Sequence, residues 1–162
     1  MSETPQGTVE ARLRELGLTL PPPLVMPAKT RTAAVQVGPM LYLSGHGGQT
    51  LDDGTVVKGK VGKEVTQEQG YAIARSIGLK MIATIRATLG DLDRVQRIVK
   101  IFGMVNADPL FEHCNLVING ASDVFCEVFG PDVGQHARSS LVVAGLVGNQ
   151  PVEIEGIVHV RE

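Results

Sequence analysis

The sequence predicts an α+β domain, a mixed β-sheet with two helices packed on one of its faces. Three observations carry this prediction: a long amphipathic stretch between residues 66 and 89, a second helical spacing between 117 and 129, and β-branched runs before, between and after them. The chain has 162 residues, of which 43 % are hydrophobic, enough for one domain to bury a core without disulfides or metal.

The elements follow in order. Val9, Leu13 and Leu16 share one face of a short helix from about Thr8 to Gly17, and Pro21-Pro22-Pro23 prevents its continuation. Two β-rich runs between Thr32 and Ser44, split by Gly38-Pro39, predict a hairpin. Asp52-Asp53-Gly54 is a turn, Thr55 to Lys58 a short strand or extended edge, and the rest of Gly47 to Gly62 is loop-rich. Thr66 and Gln69 form a capping box for a helix that Gly90 stops after Leu89. Its stripe of Ile73, Ile77, Met81, Ile85 and Leu89 predicts that it lies on the sheet. Val95 to Val105 is a buried strand, Val117 to Phe129 a helix ending at Gly130-Pro131, and Ser139 to Ala144 and Val152 to Val160 are two closing strands. A two-layer domain leaves one sheet face uncovered, and Leu141 to Ala144 carries apolar residues for both faces, which predicts oligomerisation.

Composition narrows the function. Fifteen basic and seventeen acidic residues nearly cancel, so nothing in the total charge attracts a phosphate backbone, and nucleic acid is not the natural partner. No run of ~18 apolar residues could span a bilayer, and the polar start lacks a secretory signal pattern, which points to a cytoplasmic protein. Cys114 and Cys126 are too few for a disulfide framework and are read as reduced thiols. The four histidines are scattered with no ligand-pair spacing, so no metal site is expected.

Arg138 is the leading site candidate. It stands before a strand in His136-Ala-Arg138-Ser139-Ser140, after the Gly130 to Gly134 stretch, which is read as a flexible loop. A guanidinium fixed there can bind a carboxylate through two parallel hydrogen bonds; the alternative is a salt bridge to an acid of its own or a neighbouring subunit. Glu153 and Glu155 alternate with Val152 and Ile154, so both carboxylates face one way, and one of them could act on a bound water or belong to a solvated strand face. Asn119-Gly-Ala-Ser122 reads as a helix-capping segment. Ser44-Gly45-His46-Gly47-Gly48 permits close backbone approach but lacks the spacing of a phosphate loop.

Five segments together carry a resemblance: Leu41-Tyr-Leu-Ser44-Gly45, Leu89-Gly-Asp-Leu-Asp-Arg-Val95, Asn119-Gly-Ala-Ser122, Gly134-Gln-His-Ala-Arg138-Ser139 and Val152-Glu-Ile-Glu155. In this order they resemble the RidA family of reactive-intermediate deaminases, also known as L-PSP endoribonucleases, over about Thr30 to Val160. The resemblance divides the chain into an N-terminal helical extension, residues 1–28, and a RidA-like domain, residues 29–162. It implies a chorismate-mutase-like fold, a barrel-forming homotrimer with clefts between subunits, and hydrolysis of a 2-aminoacrylate-like enamine or imine to ammonia and a 2-oxo acid, with no cofactor. It further implies that Arg138 holds the substrate carboxylate, that Glu153 positions the attacking water, and that Ser44 and Asn119 line the pocket. Two positions depart from the family pattern. No tyrosine occupies Thr30 to Thr32, and His46 replaces the glutamine that commonly follows Ser-Gly; His46 and Arg31 are expected to join the substrate-binding residues, and a larger or more acidic substrate is expected. The same cleft could serve a non-catalytic binder of small carboxylates. Ribonuclease action is disfavoured by the near-neutral charge, four Phe and two Tyr as the only aromatics, and the absence of a histidine pair.

Overall fold

A computed structural model describes residues 8–27 and 29–161. Residues 1–7 and Ala28, within the expected N-terminal extension, lie outside the described residues, as does Glu162. The elements are α1 (Thr8–Glu15), β1 (Ala34–Val37), β2 (Met40–Gly48), α2 (Gln67–Leu89), β3 (Val95–Asn106), α3 (Cys114–Gly134), β4 (Ala137–Val143) and β5 (Val152–Val160). The sheet runs β1-β2-β5-β3-β4, antiparallel except where β4 lies parallel to β3.

Local chemistry accounts for the helices. The Thr66 hydroxyl accepts from the Gln69 amide while the Gln69 side chain accepts from the Thr66 amide, so the capping box closes the start of α2. Gly90, at φ 78°, ends it in the left-handed region. The stripe of Ile73, Ile77, Met81 and Ile85 is buried against β2 and β5, and α3 adds Val117, Ile118, Ala121, Val124 and Phe125 to the same core. The two helices approach closely because the contact is made by glycines: a Cβ at Gly78 would collide with Val124, and one at Gly120 with the Tyr71 carbonyl. Leu13 of α1 is buried in this core as well, and the Asp93 carboxylate accepts from the Thr8 and Val9 amides, capping α1 from outside the helix.

The structure corrects three local expectations and shows how the closing strands pair. Thr55 to Lys58 is not a strand; only an isolated bridge joins Thr50 and Val56. β2 runs on through Gly45 to Gly48, because the side chains of Glu153, Gln150 and Ile77 fill the space that Cβ atoms would need there. The Gly130 to Gly134 stretch is not a loop: Gly130 (φ 77°, ψ 166°) breaks the helix, Pro131 starts a further turn, and the Gln135 amide closes it on the Pro131 carbonyl. β4 and β5 are not partners. Each pairs with β3, on opposite sides. Their connection is held by the buried Asn106, which accepts from Lys60 and donates to the Asn149 side chain, while Lys60 also donates to the Ala144 carbonyl.

Candidate functional site

Strand register decides which face each candidate side chain takes. On β3, Ile101 and Val105 are buried, and a Cβ at Gly103 would enter Ile118 of α3, so these positions face the helices, while Phe102 and Met104 face away. Arg138 pairs with Ile101 and therefore faces the helices. Its Nη1 donates to Asn119 Oδ1 at 2.8 Å and to Ser122 Oγ at 2.9 Å. Asn119 is thus not a cap: it lies within α3, whose first turn starts after His113, and its side chain is turned to the sheet edge.

Those two bonds use both Nη1 protons. A guanidinium has five donors, so the Nε–Nη2 edge, the one that fits a carboxylate fork, is uncommitted among the described residues. No carboxylate of the described residues lies within ion-pair distance of Arg138, which removes the salt-bridge alternative within one chain. The guanidinium opens on a cavity of about 290 Å³ lined by Ser122, Cys126, Gln135, His136 and Arg138. Its fixed positive charge is set among neutral groups. The thiol of Cys126 is pushed up by burial and by Asp123 and Glu127, so it is protonated at neutral pH.

His136 shares this cavity. Its Nδ1 lies 2.6 Å from the Gly134 carbonyl and its Nε2 3.0 Å from Ser122 Oγ. The carbonyl can only accept, so Nδ1 carries the proton. Burial lowers the pKa of His136, the carbonyl of Gly134 opposes that, and Arg138 adds to it, so the ring is neutral at pH 7. Its bare Nε2 then accepts the Ser122 proton. The order is Arg138 Nη1–H to Ser122 Oγ, Ser122 Oγ–H to His136 Nε2, His136 Nδ1–H to the Gly134 carbonyl.

Glu153 is elsewhere. It pairs with Met104 and Gly47, and its neighbours Val152 and Ile154 are fully buried under the helices, so its carboxylate faces away from them. The carboxylate lies over Gly45 and accepts from Gln150 Nε2 at 3.0 Å. Ser44 precedes Gly45 and donates its hydroxyl to the Thr32 carbonyl at 2.7 Å, which brings the exposed Arg31 segment near the same edge. Glu153, beside Gly45, which is one residue from Ser44 along the chain, is therefore apart from Arg138 with Asn119. Glu153 and Arg138 lie on opposite faces of the sheet and three residues apart along β3, roughly 10 Å.

His46 belongs to neither group, which corrects its assignment to ligand binding. A register shift between Leu43 and His46 turns its ring into the core, where it is fully buried with Nδ1 2.6 Å from the Ser44 carbonyl and Nε2 2.9 Å from Thr84 Oγ1. Burial drives its pKa to about 4. Ser122 and His136 were not among the expected site residues. The signal was present in Asn119-x-x-Ser122, whose i, i+3 spacing puts both side chains on one helical face, and in the adjacency of His136 and Arg138.

A larger cavity, about 640 Å³, is at the far end of β2, between Pro21 to Val25 and α2, with Lys58 and Lys80 in its lining. Among the described residues no hydrogen bond orients either ammonium, whereas Arg138 is pre-set by two, and pre-organisation favours the smaller cavity as the ligand site. Among the described residues no helix is long and apolar enough to cross a membrane, and no group of three or more His, Cys, Asp or Glu side chains could hold a metal.

Comparison with known proteins agrees on fold and lineage. The family described as "YjgF/chorismate_mutase-like, putative endoribonuclease" matches residues 10–150. Protein TCP17 of Trypanosoma cruzi is 39 % identical over 161 residues, 99 % of each chain. The crystal structure of Atu1372, a protein of unknown function from Agrobacterium tumefaciens, superposes with a TM-score of 0.80 at 35 % identity, covering 94 % of this chain and 91 % of that one. A "putative endoribonuclease" from Shewanella oneidensis superposes at 0.85 with 27 % identity, covering 95 % and 100 %.

Proposed function

We propose, from the premise that this chain belongs to the YjgF/chorismate mutase-like family, which includes the RidA proteins, that it is a hydrolytic deaminase of reactive 2-imino or enamine acids. The observation that carries the reading is the free Nε–Nη2 edge of Arg138, held by Asn119 and Ser122 over a cavity with no ion-pair partner. It is an anchor for one carboxylate. Water adds to the C=N carbon of the anchored acid, and the carbinolamine loses ammonia to leave a 2-oxo acid. An imine carbon is already electrophilic, so positioning substrate and water supplies much of the acceleration.

Glu153 cannot reach a ligand on Arg138 of its own chain, because the sheet lies between them. The reading therefore requires a second copy, whose Ser44, Arg31 and Glu153 edge closes the cleft over Arg138, and a homotrimer satisfies this three times over. Exposed Val35, Val37, Tyr42 and Leu141 supply apolar surface for such an assembly. Light scattering tests the assembly; a monomer at micromolar concentration would contradict it. Complementation tests the site. Arg138→Ala and Glu153→Gln chains, each inactive, should regain about a quarter of wild-type activity when randomly mixed and refolded, since half of the Arg donors meet half of the Glu donors. No recovery would place both residues in one chain's site or neither in catalysis.

The second reading, a non-catalytic binder of small carboxylates, is favoured by the missing tyrosine in Lys29 to Thr32. An amino acid oxidase that generates 2-imino acids separates the two. No acceleration of imine loss by the wild-type chain, together with measurable carboxylate binding, selects the binder.

A further inference from the structure

We propose that Ser122 and His136 form a proton relay that serves a ligand held on Arg138, an inference that rests on the deaminase reading above. The pair is arranged as a base-activated hydroxyl: the imidazole is oriented by the Gly134 carbonyl at 2.6 Å, and its free nitrogen takes the Ser122 proton at 3.0 Å. Arg138 Nη1 donates to Ser122 Oγ at 2.9 Å, so the hydroxyl has only its own proton to give and His136 to give it to. Phe125 meets the imidazole edge-on, with ring centroids 5.8 Å apart, and fixes the plane of the ring.

Among the groups of one chain that line the cavity, His136 is the base. In the cavity lining the other ionisable groups are Arg138, which is permanently charged, and Cys126. Of the neighbouring carboxylates on α3, Asp123 accepts from Tyr71 at 2.8 Å and Glu127 pairs with Arg75 at 2.6 Å, so both are engaged by α2. On β3, Lys100 is exposed on the opposite sheet face beside Ala137. Glu153 of the same chain also lies on that face.

The chemistry balances without a further reactant. With the substrate in its iminium form, the water oxygen bonds to C2 and the C=N π pair becomes the lone pair of an amine. The proton released by the water passes to Ser122 Oγ as the Ser122 proton passes to His136 Nε2. The imidazolium returns this proton through Ser122 to the amine. The C–N bond then breaks with its electron pair on ammonia, the carbinol oxygen forms C=O, and its proton leaves through the relay to make ammonium.

The test uses the full chain with 2-imino acids generated by an amino acid oxidase. Wild type should lose kcat/KM on an acid limb that lies below the ordinary histidine range, because burial and Arg138 hold the pKa of His136 down. His136→Ala should lower kcat by at least about 100-fold, abolish that acid limb, leave carboxylate affinity within about threefold, and recover with added imidazole. Ser122→Ala should lower kcat similarly while His136 remains. Full activity and an intact acid limb in His136→Ala would overturn the relay and leave the deaminase reading standing; no activity in wild type would sink both. A readout independent of turnover is the ¹⁵N spectrum of His136. A proton on Nε2 rather than Nδ1 would overturn the relay whatever the activity.

Discussion

Two histidines in this chain make nearly the same hydrogen bonds and end in different roles. His46 and His136 each donate from Nδ1 to the carbonyl two residues earlier, at 2.6 Å, and each sets Nε2 against a helix hydroxyl, Thr84 at 2.9 Å and Ser122 at 3.0 Å. The difference lies in the third partner. Thr84 Oγ1 accepts the Leu24 amide and also lies 3.0 Å from the Lys80 carbonyl, so its one proton is shared between two acceptors in a sealed core. Ser122 accepts from Arg138 and has His136 as its only acceptor beside an open cavity. The same motif is therefore a core clamp in one place and a proton path in the other. Burial and the neighbouring group decide which.

This contrast can be broken at graded cost. Arg138→Ala should weaken carboxylate binding by about 100-fold in calorimetry, the scale of a bidentate charged pair, while leaving the fold and assembly intact. Loss of assembly would instead make the arginine structural. His46 should dominate the acid sensitivity of folding. Its folded pKa is about 4 against 6.5 for the free group, so the unfolded chain takes up the proton first. Stability should be constant above pH 6.5 and fall by about 3 kcal/mol between there and pH 4, a slope that chemical denaturation should show and His46→Gln should flatten. Thr84→Val should cost about 1 to 2 kcal/mol, because it leaves the Leu24 amide and His46 without their partner, and should not alter carboxylate binding. Ser122→Ala should give the mirror result, with thermal stability changed by less than about 0.5 kcal/mol and its effect confined to the Arg138 cavity.

Part of the candidate site is legible in the chain. Arg138 stood out because a planar cation ahead of a strand has a specific use. Asn119 reads as a helix cap in the sequence, and the structure instead sets it inside α3 with its side chain accepting from Arg138. His46 misled because a glycine-flanked histidine at a strand end reads as accessible, and only the register shift after Leu43 turns it inward. His136 stands two residues before Arg138, a spacing that puts two strand side chains on one face, but it lies just before β4 starts at Ala137, and only the α3 turn that ends at Gly134 brings its ring to the cavity.

What the sequence determined alone is what short-range physics controls: the capped and periodic α2, the α3 stripe, the buried β3 run and the alternation of β5. The tertiary structure decided which strands pair. Placing β4 parallel to β3, with Arg138 opposite Ile101, sends its side chain to the helices, while pairing Met104 with Glu153 sends that carboxylate to the other face. A shift of one residue in either pairing would exchange the faces, and register is set by contacts far apart in the chain. The α+β class was written in local patterns, and the separation of Arg138 from Glu153 was written only in the sheet.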